Sequence, residues 1–180
     1  SAASDGAVVY TSVKGAKEAL GASSPHAAAL WPMVAVGEKK YYFSAMFAAL
    51  TAYTDANNAD VPYESPSNKD LRITATVLKD GTTVALDQQQ ANDVLNANGV
   101  ITAINANGFK SWGNNTAAYP STTDPKDRWW AVRRFFDWDG NNFIQTYFQK
   151  VDKPGNKRLI QSIVDSQNII GNGYVARDYC

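Results

Sequence analysis

The chain has 180 residues, of which 44% are hydrophobic and 12% aromatic: enough for one packed domain or two small lobes sharing a core, and too much for disorder. Lys plus Arg and Asp plus Glu each number 17, so the formal net charge is zero; the basic excess of a general nucleic-acid binder is missing, and so is long-range repulsion between copies. No stretch reaches the ~20 apolar residues that span a bilayer, the N-terminus lacks a signal peptide's basic-then-apolar order, and the single cysteine, Cys180, excludes an intrachain disulfide. The expectation is a soluble, intracellular chain with no membrane insertion.

Ala7–Tyr10 reads as a short buried strand and Ser12–Leu20 as a helix stopped by Gly21. Ala27–Val36 is apolar and extended, with Pro32 restricting it to an edge or a bend. A buried helix is expected from about Ser44 to Tyr53, followed by a polar loop over Thr54–Asn68. Leu71, Ile73, Ala75 and Val77 alternate with polar neighbours, predicting a half-buried strand to Leu78; Asp80-Gly81 then makes a two-residue hairpin that returns through Thr83–Leu86. Asp87 is the expected N-cap of a helix with face Ala91, Val94 and Leu95, closed by Asn98-Gly99. Val100–Ile104 and Phe109–Trp112 flank Asn107-Gly108, a second hairpin.

After a loop over Thr116–Lys126, Arg128–Arg134 reads as a strand. Two helices follow. The first carries Phe136, Phe143, Ile144, Tyr147, Phe148 and Val151 and breaks at Pro154-Gly155; the second carries Leu159, Ile160, Ile163, Val164 and Ile170 and stops at Gly171-Asn172-Gly173, leaving Tyr174–Cys180 as an extended run. Trp112 and the face Phe143, Ile144, Tyr147 and Phe148 are expected in the core. The fold class is α+β, a mixed sheet with hairpins flanked by helices and arranged in two lobes.

Residue types offer little chemistry. His26, the sole histidine, has no HExxH pattern or neighbouring thiol, so a zinc or iron site lacks ligands and a Ser-His-Asp triad would rest on one loop residue. Gly171-Asn172-Gly173 follows a helix rather than opening one, the wrong end for a phosphate. The acid pairs Asp55/Asp60, Asp124/Asp127 and Asp137/Asp139 sit among Asn, Thr and Pro, where Asp serves turns and caps. Arg128, Arg133 and Arg134 interleave with Trp129, Trp130, Phe135, Phe136 and Trp138, a pattern that could stack nucleic acid, but nearby aspartates neutralise it; Arg133 or Arg134 is better read as one half of a charge-assisted pair within or between subunits. No catalytic, metal-binding or cofactor-binding residue is expected.

Three ordered segments carry a resemblance. Ala52-Tyr53-Thr54-Asp55 with Ser65-Pro66-Ser67-Asn68 is similar to an A-x-T-D…SPSN stretch; Leu95–Ile101 with Gly108-Phe109 and Trp112-Gly113-Asn114-Asn115-Thr116 to LN..GVN…GF..WGNRT; and Trp130–Arg134 to a W..V.VRR strand. Together they resemble the contractile phage tail-sheath family, which includes R-type bacteriocin sheaths and, more distantly, type VI secretion sheaths. Asn115 stands where the pattern has Arg, and Ile101 where it has Asn.

The resemblance implies a structural, non-enzymatic subunit that polymerises around a tail tube and contracts to drive the tube through a target envelope. It implies residues 1–85 in an outer or middle lobe, 86–180 in an inner lobe, and connecting arms and final strands outside these 180 residues. The partners it implies are further copies in a helical sheath, the tube protein, a baseplate and a tail terminator, with no nucleic acid. The location implied is a virion tail or bacteriocin particle, assembled in the bacterial cytoplasm. Lys157, Arg158, Arg133 and Arg134 are the candidate contacts with a tube or neighbouring subunit, and Trp112, Gly113, Asn114 and Thr116 the structural motif. The alternative is a carbohydrate-binding or carbohydrate-acting domain, suggested by the Trp, Tyr and loop carboxylates.

Overall fold

The computed structural model describes residues 24–179; the expected strand Ala7–Tyr10, the helix Ser12–Leu20 and Cys180 lie outside them. The fold is α+β. Two compact units divide between Phe136 and Asp137.

In the first unit, the apolar run Ala27–Val36 is split at Pro32 into β1 (Ala29–Leu30) and β2 (Met33–Val36), which enter different three-stranded sheets. Proline is therefore at the bend. β2 is the middle strand between β3 (Lys39–Tyr41) and β4 (Ala75–Val77), antiparallel to both. β5 (Val100–Asn105) lies parallel to β1 and antiparallel to β6 (Phe109–Trp112), with Ala29 opposite Val100 and Thr102 opposite Trp112. From Val100 to Ile104 every β5 residue is buried, the pattern of a strand covered on both faces.

Helix α1 runs over Phe43–Asn57, four residues past the expected end, and buries Phe43, Phe47, Thr51 and Thr54 at helical spacing. The two buried threonines satisfy their hydroxyls within the helix, donating to the carbonyls of Phe47 (2.7 Å) and Leu50 (2.9 Å). Phe43 and Phe47 pack edge to face in a core with Val34, Leu71, Ile73, Ile101 and Ala103. That core joins residues on both sides of position 85, and the compact division lies well beyond it.

The second hairpin forms around Asn107-Gly108, as the sequence predicts, while the first differs in detail. Leu78 N–H donates to Thr82 O at 2.8 Å, leaving a three-residue loop, Lys79–Gly81, with Gly81 at φ 98 rather than a two-residue turn. The strand expected over Leu71–Leu78 is reduced to β4, although Leu71 and Ile73 keep their buried positions. Asp87 caps α2 (Gln88–Gln90) in a capping box with Gln90; the coil continues as a π turn (Ala91–Leu95) and a 3-10 turn (Asn96–Asn98), and Gly99 closes it at φ 72.

Arg128–Arg134 is not a strand. Asp124 caps α3 (Pro125–Arg128), with Pro125 at the first helical position, and α4 follows over Trp130–Tyr147; only Trp129 between them makes a strand-like bridge, to Asn115. The unit boundary falls within α4.

The second unit contains the rest of α4, a 3-10 turn (Phe148–Lys150) and α5 (Lys157–Ala176), which begins at an Asn156 cap. α5 runs straight through Gly171 and Gly173, so the predicted stop is wrong and Tyr174–Ala176 is helical. Neither glycine has positive φ, and a Cβ on either would meet nothing within 4 Å. Glycine costs such a helix only about 1 kcal/mol per residue. The helix end is held by Tyr174, whose ring lies 5.9 Å from Trp138 and whose hydroxyl donates to Asp139 at 2.8 Å.

Candidate functional site

The three sequence signatures converge on one junction in the first unit. Residues 68–71 lie along β6: Asn68 N–H donates to Ser111 O at 2.7 Å, Ser111 N–H to Lys69 O at 3.0 Å, and Leu71 N–H to Phe109 O at 2.8 Å. The buried Ser111 hydroxyl donates to Pro66 O, and Gly113 N–H to the Ser67 hydroxyl at 3.0 Å. The Ser65–Asn68 signature therefore clasps the strand leading into the Trp112–Thr116 turn. Gly113 is required there: at φ 124, an added Cβ would overlap the Asn96 side chain and press on Ile101 Cα at 3.3 Å.

The same turn fixes the start of α4. Asn114 accepts twice, from Trp130 N–H at its carbonyl (2.7 Å) and from Ala131 N–H at its side-chain oxygen (3.1 Å), satisfying orphan donors of the first helical turn. Asn115 bridges the Asn96 carbonyl (2.8 Å) and Arg128 Nε (3.2 Å). Thr116 is fully buried, with N–H donating to Arg128 O (2.7 Å) and hydroxyl to Asp127 O (2.5 Å). Trp112 is not the expected core anchor. It is half-buried at the rim, donating from Nε1 to Asn92 Oδ1 at 2.8 Å.

Arg133 and Arg134 have carboxylate partners within the chain. Arg133 Nη1 lies 3.1 Å from Asp127, and Arg134 forks onto both oxygens of Asp55, at the end of α1. The Arg134 and Asp55 side chains are only 20% and 18% exposed, so this bidentate pair tethers α1 to the first turn of α4. Arg128, which the sequence reading left without a role, stacks its guanidinium 4.4 Å from the Tyr119 ring and 4.2 Å from the Trp129 ring. The signal for these contacts was the basic-aromatic alternation itself, although the Asp55 partner of Arg134 lies far away in sequence.

In the second unit, the expected core face is exposed: Phe143, Ile144 and Phe148 lie open to solvent, and Tyr147 is partly covered, against Phe143. A helical hairpin has too few layers to enclose both faces. Lys157 and Arg158 occupy the exposed first turn of α5, where no acidic residue balances them.

A groove of about 720 Å³ runs beside α1, floored by Met46, Leu50 and Leu71 and rimmed by the Glu64–Lys69 ion pair. Asn58 Nδ2 donates to Glu64 at 2.8 Å, and this bond, ahead of Lys69, holds the Glu64 carboxyl below its usual range. Among the described residues, no three His, Cys, Asp or Glu side chains gather as metal ligands, and the five tryptophans are all partly covered. The junction is equipped to clamp backbone segments together.

The clamp joins the residues of the three sequence signatures in one place. The backbone matches chains in the cryo-EM structures of the anti-feeding prophage baseplate (TM-score 0.66, 21% identity, 81% of this chain and 39% of that chain) and its helical sheath in the contracted state (TM-score 0.65, 22% identity, 87% and 41%). The sequence is 32% identical over 116 residues to the tail sheath protein of Burkholderia phage BcepMu, covering 61% of this chain, and 32% identical over 93 residues to that of Escherichia phage P2, covering 49%. The chain spans 24% and 22% of the length of these two relatives. No protein-family profile matches it. Over the matched residues the chain is similar to contractile tail-sheath proteins, and the comparisons support the resemblance its sequence carries.

Proposed function

We propose that the chain is part of a structural, non-enzymatic sheath subunit that polymerises with its own copies around a tail tube and contracts to drive that tube through a target envelope. The observation that carries this reading is the helical second unit. Ile144, Phe148, Ile160, Ile169 and Val175 are each at least 59% exposed there, far more apolar surface than scattered exposed side chains present. Contraction would re-dock nearly rigid subunits, storing energy in the difference between two sets of interfaces. The baseplate and a tail terminator are further proposed partners, and a virion tail or bacteriocin particle, built in a bacterial cytoplasm, the proposed location. Residues from about Leu86 onward are proposed to face the tube, with the earlier ones outside.

Lys157 and Arg158 are proposed contacts with a tube or neighbouring subunit. Two cations in the first turn oppose the helix dipole, an arrangement that does not serve the isolated helix. Arg133 and Arg134, already paired within the chain, are proposed as further contacts of the first unit. Co-expression of the parent protein with its tube protein should give sheathed tubes by negative-stain microscopy. Reversing both charges (Lys157→Glu, Arg158→Glu) should leave the thermal midpoint equal or higher, since acids suit that turn, while reducing sheathed tubes. Normal assembly would remove these residues; failure of the unsubstituted parent to polymerise with its tube would remove the function.

A further inference from the structure

We infer that Asn107 is a spontaneous modification site, its carboxamide exposed to cyclisation onto the Gly108 nitrogen with loss of ammonia, leaving aspartate or isoaspartate at the tip of the β5–β6 hairpin. The inference is independent of the sheath reading. The chain carries its own control: the tetrapeptide Asn-Ala-Asn-Gly occurs twice, at Asn96–Gly99 and Asn105–Gly108, and a third Asn-Gly pair is Asn172-Gly173. Local sequence makes the two tetrapeptides equally reactive, so the fold must decide between them.

The reaction needs a glycine nitrogen that can lose its proton, a carboxamide free to turn towards it, and water. The deprotonated nitrogen attacks Asn Cγ; the N–Cγ bond forms, the Cγ–Nδ2 bond breaks, and ammonia leaves. Water then opens the succinimide ring at one carbonyl or the other, giving aspartate or isoaspartate, with no change of oxidation state.

At Asn98 each requirement is blocked. Its Nδ2 is anchored to Val94 O at 2.8 Å, Gly99 is buried, and Gly99 N–H donates to Asn96 O at 3.0 Å in the helix closure. Asn172 lies inside α5, where the Gly173 N–H belongs to the helical ladder. Asn107 and Gly108 are exposed, at φ 54 and φ 113, and the Asn107 carboxamide has no hydrogen bond among the described residues. Gly108 N–H makes a 3.2 Å contact with the exposed Asn105 side chain, and the space where a Gly108 Cβ would stand is empty to 4 Å. The exposed Asp80-Gly81 is a weaker competitor: Thr82 N–H holds the Asp80 carboxyl below its usual range, and an ionised carboxylate is a poor electrophile.

Isoaspartate routes the main chain through the former side chain, adding a backbone atom to the loop between paired Asn105 and Phe109 and a negative charge at its tip. The test is incubation of the folded chain in mildly alkaline buffer, with peptide mapping by electron-transfer mass spectrometry. Asn107 should convert several-fold faster than Asn98 and Asn172, with isoaspartate the larger product, and in urea the rates of the two matched tetrapeptides should converge. Asn107→Gly, which keeps the positive φ, should abolish conversion at that position and leave the others unchanged. Equal rates in the folded chain, a lead by Asn98 or Asn172, or a ranking that persists in urea would overturn the inference.

Discussion

The two units use the same residue types to opposite ends. Up to Phe136, apolar side chains close over one another, with Val34, Ala91, Leu95 and Ile101 fully buried. From Asp137 onward no helical residue is fully buried, and phenylalanine, isoleucine and valine stand open along both helices. Hydrophobicity alone therefore does not mark a core here. The first unit uses it to fold, and the second leaves it at the surface, where the proposed assembly would use it.

The largest expected effect tests that contrast directly. Phe47→Ala should cost about 3–5 kcal/mol, the range for emptying a large aromatic site, whereas Phe148→Ser should fall within about 0.5 kcal/mol in denaturant unfolding. Equal losses would collapse the distinction between the units. A smaller effect sharpens the description of the first unit: Asp55→Ala leaves the Arg134 fork without its acceptor and should cost about 2 kcal/mol, with Asp55→Asn recovering part of it. A loss no larger than that of an exposed pair would mean that α1 is tethered by packing alone.

The smallest effect depends on pH. Glu64 is held below its usual range by Asn58 and then Lys69, so its folded pKa lies under its unfolded one. Its contribution is present above the unfolded pKa and disappears as pH falls through the folded value. Because the ion pair is partly solvated, Glu64→Gln should cost less than about 1 kcal/mol at neutral pH and nothing in strong acid. A cost unchanged down to strong acid would assign the effect to packing against Asn58.

Local signals read well where local chemistry decides. The Asp87 cap, the Asn107-Gly108 hairpin and the strand Val100–Ile104 each lie within a few residues of their cause. The start of α4 does not: Trp130-Ala131-Val132 has the bulk and branching of a strand, and Asn114, sixteen positions before Trp130, is what caps it. Gly171 and Gly173 misled for a related reason, since Trp138 and Asp139, contributed by α4, hold the helix end through Tyr174. The signatures located the junction's residues by spacing, but not its bonds, because Pro66–Ser111 and Ser67–Gly113 join positions about 45 residues apart.

The strip of residues 68–71 against β6 has one more consequence. A sheet's outermost strand normally offers unpaired N–H and C=O groups, a template on which any extended chain can grow. On the β6 side that template is already filled by the chain's own Asn68, Lys69 and Leu71. The outer strand of the other sheet, β3, is three residues long and carries Lys39 and Lys40, the short and charged kind that resists edge-to-edge aggregation. For a protein proposed to polymerise in one ordered way, blocking amyloid-like growth matters as much as making the right contact.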